Sequence, residues 1–153
     1  MKKGISILVL AILFGLPVLG FSASFKVYPG AKVEDVYEVK QSEIEAKASK
    51  AAKVIIFTTN DLFENVVAFY QGIGKEYRMP GMGGKPVKLS SGQELKEAYF
   101  IFDNAPDLST SKHWVKIQRP YLIRTQTSPG FQGKFEKTRD VTAIIEEDKR
   151  SYP

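Results

Sequence analysis

Lys53-Val54-Ile55-Ile56-Phe57-Thr58-Thr59, followed by Asn60-Asp61 and the run from Leu62 to Gly74, decides how this chain folds. Six of these first seven residues, Val54 to Thr59, are β-branched or aromatic, and the stretch is apolar on both faces, which marks a central strand. Asn60 and Asp61 then offer helix caps, and Asp61 with Glu64 has capping-box spacing. Leu62, Val66, Phe69 and Ile73 recur at helical spacing, widened by Phe63, Val67 and Tyr70. Gly72 and Gly74 supply the stop. A strand running into an amphipathic helix is the nucleus of the reading.

Downstream, strands follow one another. Glu97 to Phe102 alternates, with Ala98, Phe100 and Phe102 on one side and Tyr99 and Ile101 on the other. His113 to Gln118 places Val115 and Ile117 inward, with Lys116 and Gln118 outward. Pro120 interrupts it, Tyr121 to Thr127 resumes as an edge strand, and Ser128-Pro129-Gly130 turns the chain. Asp140 to Glu146 gives a last strand, with Val141, Ala143 and Ile145 on one side. Tyr77 to Gly92 holds two prolines and four glycines, so it is a loop or carries only a short strand.

Upstream, Phe25 to Tyr28 is a short extended segment ending at Pro29-Gly30. Val33 to Val39 reads as a half-exposed strand with Val33, Tyr37 and Val39 on one face. Gln41 to Ala51 is a polar connection. Short links between the later strands favour antiparallel pairing, and one helix laid across a curved antiparallel sheet buries both apolar surfaces. The expected fold class is α+β.

The first 23 residues are different in kind. Met1-Lys2-Lys3, the apolar run Gly4 to Phe21, Pro17 and the small residues Gly20, Ser22 and Ala23 describe a signal peptide, with cleavage between about residues 20 and 23. Cleavage after Gly20 or Ser22 avoids the bulky Phe21 at the −3 position. The competing reading is a retained anchor, since the run approaches the length of a membrane span. Residues 24–153 then form a single domain, periplasmic or secreted, with no stable membrane span after cleavage.

The chain has 153 residues, no Cys and a net charge of +5. Without Cys, disulfides, zinc ribbons, iron–sulfur clusters and thiol nucleophiles are excluded together. Removing Lys2 and Lys3 leaves 20 basic against 17 acidic side chains. So modest an excess, interspersed with acids, gives nucleic acid no support and anionic envelope components a little.

Few residues suggest chemistry. Arg78-Met79-Pro80-Gly81-Met82-Gly83-Gly84-Lys85 evokes a phosphate cradle. The P-loop spacing fails, however, and Pro86 stands where Ser or Thr belongs. Met79 and Met82 are soft thioethers suited to Cu(I), yet with one distant histidine they make a poor ligand set, and no metal or cofactor is expected. His113 is the only histidine, so any His-dependent triad must use it. Ser109, Ser111, Asp103 and Asp107 lie near it in sequence, but no Gly-x-Ser-x-Gly elbow is present. Glu94 with Glu97, and Glu146 with Glu147, are carboxylate pairs whose lysine-rich contexts fit solvated charge better than glycoside hydrolysis. No residue is assigned a catalytic role. The residues offered as ligand contacts are Arg78, Met79, Met82, Lys85, His113 and Trp114.

Tyr28-Pro29-Gly30-Ala31, then Thr59, Asp61, Val66 and Phe69-Tyr70, resemble a pattern of small exported bacterial proteins of unknown function. In that pattern a YPGA turn precedes a T-x-D-x-x-x-x-V-x-x-FY strand–helix unit. The match covers roughly residues 28–70, and its elements are a turn, a cap and a packing stripe. The resemblance implies an envelope-associated α+β domain and brings no catalytic residues.

The expected function is therefore a non-catalytic exported domain with a binding or structural role, its partner an unidentified envelope component. A carrier of a small apolar ligand or lipid, covered by the Tyr77–Gly92 loop, is the second reading, motivated by the aromatic content. A small periplasmic hydrolase is the third.

Overall fold

The structure, a computed structural model, describes residues 24–39, 52–80, 87–89, 91–124 and 135–150. The expected leader (1–23), the polar connection Gln41–Ala51, Met82, Lys85 and the Ser128-Pro129-Gly130 turn lie outside the described residues.

The fold is α+β: among the described residues there is one helix and an open, antiparallel sheet. In chain order the elements are β1 (Lys32–Val39), β2 (Ala52–Thr59), α1 (Phe63–Gln71), β3 (Lys75–Tyr77), β4 (Val87–Lys88), β5 (Glu94–Ile101), β6 (His113–Arg119), β7 (Tyr121–Arg124), β8 (Phe135–Arg139) and β9 (Thr142–Asp148). The main sheet has the order β1-β2-β9-β6-β5-β3, with β4 added to β5. The last strand in sequence thus sits in the middle of the sheet, between β2 and β6. β7 and β8 form a separate two-stranded ribbon.

Directly opposed residues in an antiparallel pair share a face. The register therefore puts Phe57, Ile144, Ile117 and Ala98 in one row, and Ile55, Glu146, Val115 and Phe100 in the next. This face receives α1. Val66 and Tyr70 of the helix close on Phe57, Phe100, Phe102, Val115, Ile117 and Ile144, all buried. The opposite face carries Val54, Ile56 and Ala143, covered by Tyr121 of the ribbon. Both faces of β2 are occupied, as its uninterrupted apolar run requires.

The helix departs from expectation at its start. Leu62, not Asp61, is the N-cap residue, and no side chain caps the helix. The Asp61 carboxylate instead accepts a hydrogen bond from the Tyr28 hydroxyl at 2.7 Å, and Glu64 pairs with Lys96. Leu62 lies outside the buried stripe and is 58% exposed; the stripe runs through Phe63, Val66, Val67 and Tyr70. At the other end, Gly74 passes so close to the sheet that a Cβ there would lie 2.9 Å from Phe102 Cζ.

Three strand readings are also corrected. A bulge between Val33 and Asp35 shifts β1 by one residue, so Val33 and Val36 share the helix face while Tyr37 opposes Val54 on the other. Gln118 is buried rather than outward, because the ribbon covers its face; its amide donates to the Pro120 carbonyl. Tyr121 to Arg124 leaves the main sheet for β8 instead of forming its edge.

Candidate functional site

Phe25 to Ala31 runs alongside α1 as a strap. Tyr70 donates its hydroxyl to the Lys26 carbonyl, and Tyr28 packs edge-on against Phe69. The Tyr28-Pro29-Gly30 turn closes with the Ala31 N–H on the Tyr28 carbonyl, and Gly30 has φ +80, which glycine adopts without strain. The strap ends in a plug. Phe25 stacks on Tyr70 at 6.0 Å and meets Phe57, Phe102 and the His113 imidazole, the last edge-on at 5.7 Å.

His113 therefore lies under the strap, 1% exposed. It opens β6 on the helix face, directly opposite Asp148 of β9, with Glu146 two residues along the same strand. A two-residue step returns the side chain to the same face, so the imidazole and both carboxylates converge. His113 Nε2 lies 2.9 Å from Glu146 Oε1. One ligand atom from each of the three residues falls within 4.8 Å of the others. Among the described residues, buried His113 Nδ1 has no hydrogen-bond partner.

Two flanking carboxylates are fixed by donors. Burial alone would raise the Asp103 carboxyl, but the Lys112 N–H, the Ser111 hydroxyl and the Ala105 N–H outweigh it and hold it below the usual range. Asp148 behaves likewise: burial opposes ionisation, and the side-chain and backbone N–H groups of Arg150 overcome it. Burial raises the Tyr70 hydroxyl far above its ordinary range, so it stays a protonated donor to the strap.

The sequence candidates are distributed rather than gathered. Trp114 follows His113 on β6 and so stands on the opposite face, opposed to Glu147 and near Tyr99. On that face Lys116 pairs with Glu97 and lies 5.8 Å over the Tyr99 ring, whose hydroxyl burial pushes up to about 12. Arg78 and Met79 are exposed beyond β3, at the sheet edge, with β5 between them and β6.

The Ser–His–Asp neighbourhood is not a relay. Ser111 donates to Asp103 and reaches the His113 carbonyl, Ser109 donates to Asp107, and the imidazole faces Glu146. Glu146 and Glu147, adjacent on β9, point to opposite faces. Glu146 is also no solvated charge; it is 9% exposed. Sequence reading found His113 and passed over Asp148, Phe25 and this use of Glu146. The recoverable signal was the Glu-x-Asp spacing of 146 and 148 on one strand, but the register that sets it against His113 is tertiary.

A cleft of about 510 Å³ opens at the end of α1, lined by residues that include Ser24, Lys26, Gly74, Lys75, Phe102 and Asn104. No helix among the described residues is long and apolar enough to cross a membrane. A scan of family models, a search of curated proteins and a search of solved structures each returned no match.

Proposed function

We propose that the chain is an exported, non-catalytic domain that binds a component of the cell envelope. The supporting observation is the setting of its single imidazole. A general base must reach the proton it removes. His113 is sealed beneath Phe25 and Phe102, with Nε2 committed to Glu146. The helix–sheet interface next to it is filled ring against ring by Phe25, Tyr70, Phe100 and Phe102. That packing favours binding at the surface over carriage of an apolar ligand between helix and sheet.

Binding at the surface calls for exposed apolar area. Val33 and Val36 are 61% and 51% exposed on the helix face of β1, with Val27 also exposed. The protein is expressed with its natural leader and the exported product isolated, so that its amino terminus is read directly. It is sedimented with envelope fragments beside the Val33→Asp/Val36→Asp variant. Surface substitutions of this kind leave stability nearly unchanged. The wild type is expected in the pellet and the folded variant in the supernatant; a wild type left in the supernatant, or a variant that still pellets, defeats the reading.

A further inference from the structure

We propose that His113, Glu146 and Asp148 bind a divalent first-row transition-metal ion, for which Zn²⁺ is the fitting probe. The inference goes beyond a binding role at the surface and stands independently of it.

The three residues come from adjacent strands and share one face, so they are held by the sheet ladder rather than by a loop. Their ligand atoms already lie within 4.8 Å of one another, and the closest pair is at 2.9 Å. One imidazole and two carboxylates suit a borderline ion such as Zn²⁺, with water completing the shell.

The site is also enclosed. Among the described residues, buried Glu146 has His113 as its hydrogen-bond partner, and the imidazole has no second partner at Nδ1, so the ring is held from one side only. Arg150 does not compete for the site. Its Nε–H and backbone N–H both donate to Asp148 Oδ1 and its Nη2–H donates to Oδ2, which leaves a lone-pair direction on Oδ2 for an ion. Ligating carboxylates are usually steadied by such outer donors. The Glu146 and Asp148 side chains keep slight exposure, 11% and 18%, which gives the ion and its waters an approach.

Ligation at Nε2 needs that nitrogen free of a proton, so the bound ring carries its proton at Nδ1. Nδ1 has no hydrogen-bond partner among the described residues, which weakens the site.

Because the chain has one histidine, its ¹⁵N-labelled imidazole gives a single reporter. Zn²⁺ added to the intact protein is expected to saturate at one equivalent and shift Nε2 strongly, with the proton of the bound ring at Nδ1. Asp148→Asn, checked for native backbone amide shifts, is expected to weaken binding about tenfold or more. An imidazole that stays in its Zn²⁺-free state at millimolar Zn²⁺ overturns the proposal, as does an Asp148→Asn protein that binds with undiminished affinity. Should that variant fold poorly, the wild-type imidazole decides alone.

Discussion

Asp103 is caged by three donors from the loop that leads into β6, and that loop delivers His113 to its place. A carboxyl held below its unfolded value contributes stability above the unfolded pKa, near ~3.9, and loses it as pH falls through the folded value. The wild type is therefore expected to lose this contribution progressively below about pH 4. Asp103→Asn should lower the neutral-pH stability by about 1 kcal/mol, a figure reduced for the solvent that reaches this residue. It should also flatten the acid limb. Urea midpoints measured between acid and neutral pH read both effects, and an unchanged acid limb would refute the assignment. At this same scale the sequence was least informative about pairing. Asp61 has the spacing of a cap, but the Tyr28 hydroxyl, 33 residues away, takes its carboxylate. Glu146 sits among acids and lysines in sequence, but the sheet turns it inward.

Among the elements, the strap joins the candidate site to the core. Removing a fully buried Phe costs ~3–5 kcal/mol, and Phe25 is partly exposed, so Phe25→Ala is expected to cost about 2–3 kcal/mol. It should also speed hydrogen exchange at the His113 end of β6 while sparing the β2–β9 ladder. Exchange that rises equally in all strands would mean the strap is no separate unit. Most elements were legible beforehand because their periodicity is a local property. The alternation of β5, the apolar run of β2 and the 3.6-residue stripe of α1 each report which side is buried. The bulge in β1 was not legible, since one extra residue leaves no mark in a strand of mixed composition. It also serves the fold: the kink, the charges of Glu34, Asp35 and Glu38, and the Asp35 carboxylate on the Val36 N–H make β1 a poor template for another strand.

For the molecule as a whole, the decisive feature is that β9 lies at the centre of the sheet. It bridges β2 and β6, which otherwise share no pairing in the main sheet. A chain ended after Arg139 is expected to lose cooperative unfolding altogether, not merely to weaken, because both core faces lose Ala143 and Ile144. Near-UV circular dichroism across a urea series checks this; a retained sigmoidal transition would contradict it. The amino-acid sequence by itself determined the α+β class, the helix, most strands and the candidate imidazole, because burial period and turn chemistry act over a few residues. The strand order, the ribbon that buries Gln118, the strap over His113 and the meeting of His113 with Glu146 and Asp148 were decided only in the tertiary structure. The meeting of His113 with Glu146 spans 33 positions, and the register that brings such residues together is fixed by the packing of both sheet faces at once.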